Sequence, residues 1–245
     1  MPLRVLHLGN EKIRDWSPLT GMPLEDLEIR RNQFLNLRLL RGMPLKRLSI
    51  IDHRSADYDQ LAGLPLEILV LVNSSITDLA PLAQMKLKYI DLRVTKVSDL
   101  SPLRGMPVDS AALGDMKQVS DFSVVESWPL GRSFVASGTA FSDLRLLTGK
   151  PVEVVDVQDT PVSDLSPLRG SKVRDLRIAG TKVTDLSPLK DMPELEAITI
   201  PKQALIIELL RSLPNLRYIG TEPLPVSRYI QAAAEFWKEY DAKKK

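Results

Sequence analysis

The sequence predicts an α/β solenoid: one parallel sheet built a strand at a time, with a short return segment after each strand. Three observations predict it. The first is a period. The apolar residue that opens each L-x-x-L-x-L unit falls at Leu3, Leu24, Leu45, Leu66, Leu87, Val108, Leu130, Val152, Val173, Leu195 and Leu216, in steps of 21 or 22 residues. A fixed period of this length marks a stacked repeat architecture. The second is coverage, because about eleven such units run nearly end to end. The third is the short return. Roughly 14 residues remain for it, too few for a long helix and enough for 3₁₀ or short helical turns on the convex side.

The unit is clearest in LKYIDLRVTKVSDLSPLRGMP, Leu87 to Pro107. Its L-x-x-L-x-L start reads as a short strand with inward leucines. Neighbouring strands stack about 4.8 Å apart into a concave parallel sheet. No unit buries its own apolar face, so stability is a sum over neighbours. An aspartate recurs at Asp15, Asp78, Asp99, Asp121, Asp143, Asp164 and Asp185. Catalytic carboxylates come in ones or twos, whereas a ladder of them fits caps that accept from backbone N–H groups of each return. Pro18, Pro81, Pro102, Pro167 and Pro188 pre-set φ in the same turns. Thr95, Thr160, Thr181 and Asn32 sit where they are expected to satisfy backbone groups between coils. Trp16 and Phe122 replace the leucine after the aspartate and read as convex-side core.

Some units depart from the pattern. Asn32–Leu45 and Gln203–Leu216 lack the mid-unit proline and space their leucines helically, which predicts short helices. Asp52–Leu66 is polar and predicts a looser convex loop. Val108–Leu130 matches least and is where a change of curvature is expected.

Two domains follow: the solenoid at 1–221 and a C-terminal capping helix at 222–245. In the latter, Ser227 is placed to cap a helix carrying Tyr229, Ile230, Ala233, Phe236, Trp237 and Tyr240 at helical spacing. These aromatics read as packing over the last coil, with a ligand box as the alternative. The front has no counterpart, since Leu3 already belongs to a strand. Solenoids need a cap at each end. The open edge of the first coil is therefore expected to meet an upstream domain, a partner, or a second copy in an edge-to-edge dimer.

These repeats resemble the bacterial leucine-rich repeats of the short class. The recurrent V-x-D-L-S-P-L core is similar to internalin and protein-phosphatase-regulator repeats. The S-P-L-x-G-M-P tails and the ending AAEFWKEYDA resemble repeat regions attached to some bacterial serine/threonine protein kinases. The resemblance implies a non-catalytic interaction module, either the scaffold or sensor part of a larger signalling protein or an internalin-like cell-surface adhesin.

Composition agrees with a binding role. Lys and Arg total 33 against 31 acids, so no general basic field favours nucleic acid. No cysteine is present, which removes disulfides and thiol nucleophiles and fits a cytoplasmic location, or an extracellular one after loss of a signal peptide. No apolar run reaches membrane-span length, so membrane insertion is not expected. The two histidines, His7 and His53, lie two coils apart without metal-ligand spacing, and no nucleotide-loop, hydrolase or kinase pattern appears. No catalytic residue, metal site or cofactor is predicted. The expected partner is another protein.

The residues that the repeat leaves free sit between the leucines on the open face. Aligning the units isolates Ile51, Ile68, Val70, Val72 and Tyr89 as apolar or aromatic where solvent is expected. Arg30, Arg47, Asp91 and Arg93 rim them. An apolar centre with an Arg- and Tyr-rich rim is the anatomy of a protein interface. The competing account is the preference of β-branched residues for strands.

Overall fold

Each L-x-x-L-x-L run forms a strand because alternate apolar side chains need one buried face, and the previous coil supplies half of it. The computed structural model describes residues 2–9, 12–54, 57–221 and 231–243. The chain divides into two compact units, Met1–Pro129 and Leu130–Lys245. The division falls at the end of the segment that matches the repeat least.

In the first unit the strands are β1 (Val5–Gly9), β2 (Asp26–Arg30), β3 (Arg47–Ile51), β4 (Ile68–Val70), β5 (Tyr89–Asp91) and β6 (Ser110–Ala112). They neighbour one another in chain order and run parallel. Leu6, Leu27, Leu48, Leu69, Ile90 and Ala111 lie in one register column. The second unit repeats the scheme with β7 (Ser133–Val135), β8 (Val154–Asp156), β9 (Asp175–Arg177), β10 (Ala197–Thr199) and β11 (Tyr218–Gly220). Its inner column is Phe134, Val155, Leu176, Ile198 and Ile219. Leu27, Leu48, Leu69 and Ile90 are buried together with Leu40, Leu61, Leu82 and Leu103 of the returns, so the core lies between sheet and returns. Each such leucine contributes about 1.5–3 kcal/mol by burial.

The returns are 3₁₀ turns in every described coil, including Leu37–Leu40 and Ile207–Ser212, where helical leucine spacing predicted short helices. The next strand must start within a few residues, and the tighter 3₁₀ rise suits that distance. The polar Asp52–Leu66 segment also holds one, Tyr58–Leu61. The aspartates cap these turns as expected. Asp15, Asp99, Asp121, Asp164 and Asp185 accept from the backbone N–H of Ser17, Ser101, Ser123, Ser166 and Ser187 at 2.8–2.9 Å. Asp78 accepts from Ala80, and Asp143 from Arg145. The backbone bonds hold the carboxyls of Asp99, Asp121, Asp164 and Asp185 below the usual range. The prolines open the turns at 17–19, 80–82, 101–103, 166–168 and 187–191. Trp16 and Phe122 are buried.

The threonines differ from expectation. Thr95, Thr160 and Thr181 donate to Leu92, Val157 and Ile178 of their own coil, at 2.6–2.8 Å. In this column the threonine hydroxyls turn back to the carbonyl three residues before them and stay within their own coil. Longer side chains in the same column do cross to a neighbouring coil. Asn32 Nδ2 donates to Ile13 at 2.8 Å, His53 Nδ1 bonds the Asn32 carbonyl, and Gln203 Nε2 donates to Thr181.

At the C-terminal end, Gln231–Ala232 forms β12, antiparallel to β11, and α1 (Ala233–Lys243) follows. The helix therefore starts later than its aromatic spacing suggested, because two residues first pair with the open edge of β11. Ala233, Phe236, Trp237 and Tyr240 face inward but are half-buried, since they are covered from one side only. Phe236, Trp237 and Tyr240 stack on each other at centroid distances of 5.0–6.1 Å, and Arg211 lies 4.0 Å over Trp237. Ser227, Tyr229 and Ile230 lie outside the described residues.

Candidate interaction surface

Parallel register turns the sequence columns into rows of neighbours on the open face of the sheet in the first unit. Asp26, Arg47, Ile68, Tyr89 and Ser110 are successive partners in one row. Glu28, Ser49, Val70, Asp91 and Ala112 form the second. The third passes through Arg30, Ile51, Val72 and Arg93, where Arg31, Asp52 and Asn73 donate to the carbonyls of Ile51, Val72 and Arg93 at 2.9–3.1 Å. All nine residues singled out from sequence thus lie on four adjacent coils. Ile51, Ile68, Val70, Val72 and Tyr89 are half-buried, with one side packed on neighbours and the other open.

The rim carries charge that is already paired. Arg47 donates to Asp26 at 2.9 Å and to Glu28 at 3.1 Å, while Arg30 Nε donates to Glu28 at 2.7 Å. His7 Nε2 lies 3.1 Å from Asp26. Burial disfavours the Glu28 carboxylate, yet the two guanidiniums outweigh it and hold its pKa down. Arg93 grips Asp91 through Nε at 2.9 Å and Nη2 at 2.7 Å, and this bond raises its pKa against burial. The Asp91 side chain is 3% exposed and that of Arg93 is 36%. Asp91 is therefore the seat of Arg93 rather than a rim charge of its own. Burial first, and then the Asp91 charge, push the Tyr89 hydroxyl pKa up, so Tyr89 offers a neutral O–H.

The second unit's open face is more polar. Arg177 donates to Asp175 at 2.7 Å and lies 3.9 Å from Asp156. Burial pushes the Asp156 carboxyl up against the bonds from Gln158 and the Arg177 charge. Thr199 there is fully buried.

One constellation escaped the sequence reading. The residue entering each strand alternates in sign: Arg4, Glu25, Lys46, Glu67, Lys88 and Asp109, then Arg132, Glu153, Arg174, Glu196 and Arg217. Arg4 and Lys46 both reach Glu25, Lys88 lies 2.7 Å from Glu67, and Arg174 pairs with Glu196. Reading the sign of that one column at the repeat period is enough to find it. Hydroxyls and carboxylates on the convex side have structural partners: Ser101, Ser166 and Ser187 donate to Asp99, Asp164 and Asp185 at 2.8–2.9 Å.

No protein-family model matches the sequence, and no curated protein matches it. Solved structures do. The internalin InlF of Listeria monocytogenes is 21% identical with a TM-score of 0.72, over 89% of this chain and 73% of that one. Internalin C2 of the same species is 19% identical with a TM-score of 0.59, over 81% and 80%. A leucine-rich-repeat protein of Leptospira interrogans is 13% identical with a TM-score of 0.53, over 89% and 78%. One parallel strand per 21 or 22 residues, a capped 3₁₀ return in each coil and these likenesses agree: the chain has the leucine-rich-repeat fold.

Proposed function

We propose that the chain is a non-catalytic protein-interaction module whose partner docks on the open face of β3–β5. The observation that carries this is the gathering of Ile51, Ile68, Val70, Val72 and Tyr89 on adjacent coils within a rim of arginines. Apolar centre and Arg/Tyr rim supply the buried anchors that dominate binding energy. The serines and aspartates of the repeat are committed to caps, and His53 is buried, which supports a binding rather than a catalytic role. No helix among the described residues is long and apolar enough to cross a membrane. We place the module in the cytoplasm, as the scaffold or sensor part of a larger bacterial signalling protein. The fold likeness to two internalins favours a second reading, a cell-surface adhesin. Edge-to-edge pairing through β1, where Leu3 and Val5 are about half exposed, belongs to the same proposal. Sedimentation velocity decides that point, since a monomer at every concentration removes it.

The test is capture by the immobilised chain. Val70→Glu and Tyr89→Ala should each abolish partner capture while leaving the thermal melt nearly unchanged. A partner retained by both variants shows that this face is not the site.

A further inference from the structure

In the first unit the returns end in a tight turn closed by a bond to the carbonyl three residues back. Met22, Met43, Leu64 and Met106 donate in this way to Leu19, Leu40, Leu61 and Leu103 at 3.0–3.3 Å. Inside the turn, Thr20, Arg41, Ala62 and Arg104 have ψ between 121° and 132°. Gly21, Gly42, Gly63 and Gly105 follow them with φ between 73° and 79°. This is the type II turn, which favours glycine at its left-handed position. One coil departs from it. Met85 donates to Leu82 at 2.9 Å, but Gln84 stands in the glycine's place, and Ala83 has φ −56° and ψ −19°. A glutamine resists the left-handed conformation, so this turn is type I and its central peptide faces the other way. Two residues on, Lys86 replaces the proline that recurs as Pro23, Pro44, Pro65 and Pro107.

A cavity of about 470 Å³ opens at this interruption. That size suits a small ligand. Leu64, Leu66 and Met85 are buried residues of its lining and form an apolar floor, with Pro65, Pro81 and Pro107 around it. Gln84 and Lys86 line it as well, and among the described residues neither side chain has a hydrogen-bond or ion-pair partner. The acid of the lining, Glu67, is 45% exposed, but Lys88 bonds it at 2.7 Å. The Lys88 bond and then the Lys46 charge hold its pKa down. The lining therefore carries two ammonium groups against one carboxylate that is already engaged. A lysine also replaces the proline at Lys172, and there Glu194 of the next coil pairs with it at 2.6 Å. For Lys86 the corresponding residue of the next coil is Pro107, which supplies no charge. Lys86 is thus a surplus cation beside an apolar floor, and Gln84 adds a free amide donor.

We infer that this cavity binds a small apolar carboxylic acid. Its hydrocarbon body rests on Leu64, Leu66 and Met85 between the prolines, where the thioether favours a ring, and its carboxylate meets Lys86 and Gln84. The site lies among returns and strand entries, and it does not depend on the docking face of β3–β5.

The full chain with isotope-labelled methionine methyl groups, titrated with naphthoate and with decanoate, tests this. The Met85 signal is identified by its loss in Met85→Leu. At least one of the acids should shift that signal with a dissociation constant of about 1 mM, and the tighter of the two shows whether a ring or a chain is preferred. Naphthamide, the same body without charge, and naphthylmethylammonium, with the opposite charge, should each bind about fivefold more weakly than naphthoate. Lys86→Ala should weaken the acids by a similar factor. Gln84→Gly combined with Lys86→Pro restores the residues of the neighbouring coils, so this chain should keep its melting temperature and lose the acid-induced shift. No shift with either acid up to about 10 mM overturns the inference. So does equal binding of the amide or the ammonium, or undiminished binding by Lys86→Ala or by the restored chain.

Discussion

A single side chain's reach decides whether it fastens a turn or ties two coils together. In the column that holds Thr95, Thr160 and Thr181, short hydroxyls close their own coil, and Asn32 and His53 cross to the one before. His53 makes that crossing with an imidazole that is fully buried, and among the described residues its Nε2 has no hydrogen-bond partner. Burial disfavours the charged ring more than the Asn32 carbonyl favours it, so the pKa of His53 is lowered. The unfolded chain binds this proton near pH 6.5 and the folded chain resists it. The stability linked to His53 is therefore full above about pH 6.5 and is lost as pH falls toward the folded pKa. Urea midpoints should decline from pH 7 to pH 5, and the decline should shrink in His53→Asn, which keeps a donor for the Asn32 carbonyl. Equal slopes in the two proteins would refute the assignment. The capping aspartates act at lower pH. Their folded pKa values are depressed, so their contribution holds above the unfolded value near 3.9 and fades below it.

At the scale of elements, the two ends of the chain are finished differently. β12 pairs with the last strand of the second unit, and α1 lays three aromatics over the returns, with Arg211 on Trp237 and Tyr240 bonding Glu208 at 3.0 Å. β1 has a described neighbour only in β2, and Leu6 and Leu8 are half-buried where their counterparts Leu27 and Ile29 are buried. Trp237 is the centre of the C-terminal arrangement. Trp237→Ala removes a half-buried ring and a cation–π contact, with a cost of about 1–2 kcal/mol. Backbone amide exchange at Tyr218–Gly220 should then accelerate roughly tenfold. Unchanged protection of β11 would mean that α1 does not stabilise it. The aromatic period announced this helix in the sequence. The two-residue strand before it was not legible, because Gln231 and Ala232 carry no strand signal and are recruited only by the open edge of β11.

For the molecule as a whole, the fold was legible because one physical requirement is restated every 21 or 22 residues: an inward leucine column, a cap and a return. The parallel register follows from that repetition, and so does the placement of the nine patch residues on adjacent coils. What the sequence left obscure depends on distance between coils. The leucine spacing of Ile207–Ser212 looks helical, and only the short return forces 3₁₀ geometry. The burial of Asp91 beneath Arg93 depends on the neighbours that flank β5. The left-handed backbone of Val94, at φ 61°, is foreseeable only when its turn is set beside those of Asp52 and Asn73, which share it.

The alternating charges at the strand entries impose an arithmetic on how such a chain can grow. Within each unit, every cation in that column has acids as its nearest neighbours along the stack, and every acid has cations. Copying one coil in tandem would set two like charges side by side and add repulsion at a spacing of about 4.8 Å. Copying or losing two coils together leaves the order intact. The hydrophobic repeat counts in ones and the electrostatic repeat counts in twos, so only a change by an even number of coils keeps both patterns whole.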